Sequence, residues 1–272
     1  MIDRRELWSR LIDYAGVFPP AEHQLGEALA RYDRAMGGPE GWVLGPCLIR
    51  SSQLAELDSR VAPTDLGIVI DQWPREPPAR PIAQIETKAH PGEMAEVAVR
   101  ASRLSGVVYV ESMGDVGGSF LGQISHLRAE GYDVRAKIRT GGASAAAFPS
   151  VEEVATFIET CVNLAIPFKA TAGLHHPIRT ASAVEDATEH GFINVLAAVR
   201  AALAGDGEAC RHSLESRDPG DFDVTAATWR GVGAQVPAII LRQTFRSFGS
   251  CSFDEPVGYL RELGVLPLEA AR

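Results

Sequence analysis

Residues 133–173, DVRAKIRTGGASAAAFPSVEEVATFIETCVNLAIPFKATAG, decide how this chain is read. The first seven, from Asp133, form a short β-rich run, and IPFKAT from Ile166 forms another. Between them lies SVEEVATFIETCVNLA, which opens on Ser150 with Glu153 three residues on, a capping box that starts a helix. Strand, helix, strand is the unit of a parallel sheet with crossover helices.

The same alternation extends outward in both directions. Further strands are expected at WVLGPCLI from Trp42, LGIVID from Leu66, IAQIE from Ile82, GVVYVE from Gly106, GFINV from Gly191 and TFRSF from Thr244. Helical patterns fall at SQLAELDSRV, GEMAEVAVRASRL and FLGQISHLRAEG. Eight strands are the number that closes a (β/α)8 TIM-type barrel, the α/β class expected here, as a single domain over residues 1–272. Prolines in DQWPREPPARP leave no room for a helix, so the crossover after the second strand is expected to be irregular. Residues 205–240, with the polar ESRDPGDFDV, read as an insertion between the seventh and eighth strands. Residues 1–40 read as an amino-terminal capping segment, with a helix from Leu25 to Met36, that closes the bottom of the barrel or folds over its mouth. A doubly wound sheet would need a glycine-rich turn after its first strand, where this chain has IRSSQ.

Composition narrows the function classes. At 272 residues with 46% hydrophobic and 22% charged residues, the chain has ample core for one large domain. No apolar run approaches the roughly 18 residues that span a bilayer, and the start MIDRRELWSRLIDYAG lacks the apolar centre of a signal peptide. A cytoplasmic protein is the expectation. The net charge of −9, without a basic cluster, argues against nucleic acid as a partner. Cys47, Cys161, Cys210 and Cys251 are scattered, giving neither a disulfide framework nor a zinc spacing. Outer barrel helices leave a homo-oligomer open.

Of 26 basic residues only Lys88, Lys137 and Lys169 are lysines. An amine can lose its proton and attack a carbonyl, whereas a guanidinium effectively cannot. Strand alternation puts Lys137 and Arg139 on one side, and Lys169 and Thr171 likewise on the next strand. Glu86 and Glu111 end two earlier strands, and Lys88 is expected in the loop beyond. Such charges at the carboxyl ends of barrel strands suit an active site, or a rim of solvated salt bridges. Adjacent lysines lower an ammonium pKa by mutual repulsion, which favours Schiff-base chemistry on a ketone or aldehyde, with Glu86 or Glu111 moving protons. The same lysines equally suit a charge clamp on an anionic substrate.

KATAG (Lys169 to Gly173) and KIRTGG (Lys137 to Gly142) resemble the lysine strand ends of deoxyribose-phosphate aldolase and related Schiff-base barrel aldolases, K-T-S-T-G and K-A-S-G-G. Here the two motifs come in the opposite order, and KIRTGG has one residue more before its glycines. The resemblance implies Lys169 as the Schiff-base lysine and Lys137 as its neighbour. Across its whole length the chain also resembles a set of bacterial proteins with IDYAG-FPPA, KIRTGG, FKATAGLHHP and FGSCSFDEP segments, which carry no assigned activity.

Other candidates surround these. His175 and His176 follow the sixth strand, with His175 a candidate acid or base and His176 a substrate contact. With Glu86, Glu111 and His190 they also suit a metal-assisted hydrolase or isomerase, although no ligand spacing is recognised and neither a metal nor a cofactor is expected. His190 is expected to be structural. Asn194, read at the end of the seventh strand, is a candidate substrate contact. Gly249, Ser250 and Ser252 precede a helix and suit an anion, and Cys251 reads as a packed thiol. The expected activity is a lyase acting through a lysine on a small anionic metabolite, phosphorylated ones included. A binding barrel without turnover is the other alternative.

Overall fold

Apolar residues at alternate strand positions bury one face of each strand under helices, and this periodicity builds the molecule. The computed structural model describes residues 4–57, 65–114 and 118–267. A closed barrel contains β1 (Ile12–Tyr14), β2 (Leu44–Arg50), β3 (Leu66–Val69), β4 (Gln84–Ala89), β5 (Val107–Ser112), β6 (Asp133–Arg139), β7 (Phe168–Thr171) and β12 (Phe245–Ser250). All neighbours are parallel, in the order β1-β12-β7-β6-β5-β4-β3-β2. Two hairpins lie outside it, β8 (Thr180–Ala181) with β9 (Thr188–Glu189), and β10 (Phe222–Asp223) with β11 (Thr228–Trp229). The helices are α1 (Arg4–Trp8), α2 (Leu25–Met36), α3 (Met94–Ser102), α4 (Gly118–Ala129), α5 (Val151–Asn163), α6 (Phe192–Leu203), α7 (Gly207–Glu215), α8 (Ala238–Thr244) and α9 (Asp254–Glu262). None is long and apolar enough among the described residues to cross a membrane.

The outward members of the strands, such as Ile85, Val108, Val110, Val134, Ala136, Ile138, Phe168 and Ala170, form the core between sheet and helices. Each of the larger of these buried side chains contributes about 1.5–3 kcal/mol. Ser150 caps α5 as its sequence indicates, accepting from the Glu153 amide at 3.2 Å while Glu153 reaches back to the Ser150 amide at 2.7 Å. Phe168 packs edge-on against Phe157 at 5.2 Å and against Phe245 at 5.3 Å, which ties α5 to β7 and β12.

Four expectations are corrected. GFINV is not a strand: Phe192–Leu203 is α6, and Phe192 stacks on Phe248 of β12 at 5.4 Å. The missing barrel strand is Ile12–Tyr14, within the segment read as a cap, and the loop after it folds at the mouth, with the Ala15 amide bonded to Ser250 O at 2.7 Å. The first part of SQLAELDSRV is a 3-10 helix, Ser51–Glu56, and its last four residues lie outside the described ones. Lys88 belongs to β4, not to a loop. The irregular crossover stands: residues 70–83 connect β3 to β4 without a helix. The connection from β7 to β12 spans residues 172–244 and holds both hairpins, α6, α7 and α8, so the 205–240 insertion is its second half.

Candidate active site

Inside the barrel the usual pattern is reversed. Branched apolar side chains commonly fill such an interior, but here Gln84 and Glu86 of β4, Tyr109 and Glu111 of β5, Arg135, Lys137 and Arg139 of β6, Lys169 of β7, Ser247 of β12 and Asp13 of β1 meet one another. Barrel strands tilt, so each hydrogen-bonded partner met from β4 through β7 stands about one residue nearer the amino end. The register therefore makes layers from alternate strands. Asp13, Gly67, Tyr109 and Lys169 form one; Leu48, Glu86, Lys137 and Gly249 form the next toward the mouth. Arg50, Lys88 and Arg139 stand at the mouth, with Glu111 and Thr171 just below them.

The charges alternate along a continuous chain. Lys169 bonds both Asp13 and Glu86. Lys137 lies 3.2 Å from Glu86 Oε2 and 3.1 Å from Glu111 Oε2. Arg139 Nε donates to Glu111 Oε1 at 2.9 Å, and Lys88 approaches the same oxygen at 3.5 Å. Gln84 donates to Asp13 and to Glu86, each at 3.0 Å, and Ser247 donates to Asp13 at 2.9 Å. The Lys169 ammonium also sits 5.4 Å from the Tyr109 ring centroid, a cation–π distance. Exposure rises along the chain, from 0% at the Lys169 side chain through 3% at Lys137 to 39% at Arg139.

Electrostatics follow from these contacts. Burial raises the Glu86 carboxyl, but Lys169 and Lys137 outweigh it and hold it down to about 2. Glu111 is also lowered, with burial opposed by Lys137 and Arg139. Asp13 goes the other way: burial pushes it up despite Lys169. For Lys169 burial disfavours the charge, yet Asp13 and Glu86 win and raise it above the ordinary lysine value. The resting Lys169 is an ammonium between two carboxyl groups, which overturns the expectation that its lysine neighbour frees the amine.

The glycines after the two lysines have backbone reasons. A Cβ on Gly141 would stand 2.7 Å from Gly173 Cα, and one on Gly173, at φ +74°, would stand 2.5 Å from Thr140 O. The strand ends of β6 and β7 touch through their backbones, and the Thr140 amide donates to Thr171 O at 2.9 Å.

The remaining candidates lie elsewhere. His175 Nδ1 meets Glu255 at 3.1 Å and His176 Nδ1 meets the Tyr259 hydroxyl at 3.0 Å, so both turn toward α9. Among the described residues no group of three His, Cys, Asp or Glu side chains is arranged for a metal ion. Asn194 is not at the mouth: it is buried in α6, accepting from the Arg179 amide at 2.8 Å and donating to Ser213 O and Ser216 O. His190 contacts Pro149 O at 2.8 Å and Arg179 at 3.2 Å, and burial lowers it to about 4. Ser250 and Ser252 serve their own turn: Ser250 Oγ donates to Ser252 O at 2.6 Å, and Ser252 Oγ accepts from the Glu255 amide at 3.2 Å. Gly249 leaves the barrel wall open beside Thr171 Oγ1 and Leu48. Burial raises the Cys251 thiol, as suits packing.

Sequence reading missed Asp13, Gln84, Tyr109 and Ser247. Asp13 carried one usable signal, an acid between Leu11-Ile12 and Tyr14, all buried. Gly45 is its counterpart on β2, since a Cβ there would meet Asp13 Oδ1 at 2.3 Å. A scan against protein-family models finds no match to this chain, and a search of curated proteins finds no relative.

Proposed function

We propose that the chain is an enzyme of carbonyl chemistry, a lyase acting on a small anionic metabolite at the carboxyl-end mouth of the barrel. The observation that carries this reading is the chain Asp13–Lys169–Glu86–Lys137–Glu111–Arg139, which runs from the buried interior to the exposed rim. It supplies an amine, carboxylates on either side of that amine and a cation for the substrate, at the end where barrel enzymes work.

Of the two buried lysines, Lys137 is the one that a substrate passing the rim residue Lys88 meets first. It stands one step above Lys169 in the register and has both glutamates within 3.2 Å. The roles implied by the aldolase resemblance are therefore exchanged here. Lys137 passes a proton to Glu111, 3.1 Å away, and its free amine attacks the carbonyl carbon. Glu111 then protonates the carbinolamine oxygen, water leaves, and the iminium accepts the electron pair of the breaking carbon–carbon bond while the Glu111 carboxylate takes the proton of the β-hydroxyl, which releases one carbonyl product and leaves an enamine. Glu111 returns that proton to the enamine carbon, and water adds to the regenerated iminium and releases the second product and the amine. Lys169 holds Glu86 in place, and Asp13, raised by burial, is the acceptor that lets a proton move inward. Arg139 and Thr171 face the substrate's anion.

Borohydride trapping against a pool of small aldehydes, ketones and phosphosugars tests this, read by peptide mass. An adduct on Lys137 that Lys137→Arg abolishes is expected. An adduct on Lys169 would restore the first assignment of roles, and undiminished turnover in both Lys→Arg variants would end the covalent reading. One observation favours a binding barrel without turnover, namely that both ammonium groups already have carboxylate partners. That reading requires tight binding and no trapping.

A further inference from the structure

The cations at the mouth are not equivalent. Lys88 and Arg139 share Glu111, and Lys137 and Lys169 each contact two carboxylates. Arg135, deeper on β6, is matched by Asp133 at 2.6 Å. Arg50 differs. It ends β2, its guanidinium lies 4.9 Å from the Phe18 ring centroid, and among the described residues no carboxylate is within ion-pair distance of it. Asp71, which ends near it on the β3 side, is turned to Ser51 Oγ at 2.7 Å and Ser52 Oγ at 2.6 Å.

Position gives this odd cation a use. In the closed order of eight strands, β2 and β6 are four apart, so Arg50 faces Arg139 across the mouth. Leu48 points inward, meeting the space beside Gly67 and Gly249, so Arg50, two residues on, lines the same interior. The lining then holds five cations, Arg50, Lys88, Lys137, Arg139 and Lys169, against the three carboxylates Asp13, Glu86 and Glu111. This surplus of two positive charges sits in a chain whose net charge is −9. Concentrated charge in a partly buried site requires compensation.

We infer that Arg50 is a specificity-determining residue and that the ligand is a dianion, held between Arg50 and Arg139 by their planar donor forks. A phosphoryl group and a pair of carboxylates both satisfy this chemistry, and both suit bidentate guanidinium contacts. Phe18, on the loop after β1, holds one face of the Arg50 guanidinium and so reduces the ordering needed on binding. The inference deepens the proposed function and rests on the same mouth being the substrate site.

The test is calorimetric titration of the full chain with inorganic phosphate, malonate and acetate, at fixed ionic strength and about pH 8, where phosphate is mostly dianionic. Phosphate or malonate is expected to bind at least about tenfold more tightly than acetate. Whichever of the two binds more tightly identifies the dianion chemistry. Arg50→Ala should erase that preference, Arg50→Lys should retain part of it, and Arg230→Ala, on the distant hairpin, should leave it intact. Thermal melts confirm that each variant is folded. No preference for dianions in the native chain, or a preference unchanged in both Arg50 variants, overturns the inference. If borohydride trapping fails while the Arg50-dependent preference persists, the carbonyl reading falls and the dianion site stands. If trapping succeeds on Lys137 without that preference, the reverse holds.

Discussion

Two fully buried cations, Lys169 in the barrel and Arg200 in α6, are held in opposite ways. Lys169 bonds two carboxyl groups, Asp13 and Glu86. Arg200 has backbone carbonyls alone: its Nη1 donates to Val236 O and, at 3.5 Å, to Gly233 O, while Nε and Nη2 have no hydrogen-bond partner among the described residues. Backbone carbonyls accept hydrogen bonds but do not titrate, whereas carboxyl groups do. The interior of the barrel is thus built from groups able to exchange protons, and the β7-to-β12 connection uses its buried arginine to fasten the turn at residues 233–236. The first region is suited to chemistry and the second to support.

Breaking the pairing on each side should separate the two. Glu86→Ala strips a carboxylate from both Lys169 and Lys137 and leaves buried ammonium charge uncompensated. A loss of about 3–5 kcal/mol is expected, measured by urea unfolding. Arg200→Met leaves only carbonyls without a donor, so a smaller loss of about 1–3 kcal/mol is expected, with anion binding at the mouth unchanged. Equal losses in the two variants would erase the distinction.

Acid sharpens the same contrast, because the two regions titrate in different windows. The Glu86 carboxyl is held at about 2 against an ordinary 4.5. A depressed carboxyl contributes stability above its unfolded value, and that contribution is lost as pH falls from 4.5 through about 2. His190 lies at about 4 against an ordinary 6.5, lowered by burial. The unfolded chain takes up that proton first, so stability falls as pH drops from 6.5 toward about 4. Melting temperatures across this range should show both losses, with Glu86→Gln removing the lower and His190→Gln the upper. The smallest effect concerns neither region directly. Ser150→Ala removes the cap of α5 and should cost about 1 kcal/mol by the same unfolding assay.

How far the chain could be read without its fold differed between elements for physical reasons. Long β-rich runs such as Leu44–Arg50 and Asp133–Arg139 alternate over enough residues to be recognised, and the capping box marked the start of α5. Ile12–Tyr14 has three residues, too few for a period to emerge, so the first barrel strand was read as part of a cap. GFINV was read as a strand because a short apolar run looks alike in a buried strand and a buried helix. The alanine-rich stretch that follows, and the burial of α6 on every side from Phe192 to Ala201, decide for the helix. Losing Ile12–Tyr14 also hid Asp13, one of the two carboxyl groups that bond Lys169.

The sequence alone was enough to give an α/β barrel and to single out its lysines and glutamates, because strand periodicity and residue chemistry are local properties. Only the tertiary structure decided which lysine stands nearer the mouth, which acid meets which amine, and that His175, His176 and Asn194 face other partners. Those facts depend on strand tilt, register and closure, which bring together residues as far apart as Asp13 and Ser247. A chain folded into a closed sheet sets such contacts through backbone hydrogen bonds between strands, and no local stretch of sequence carries that information.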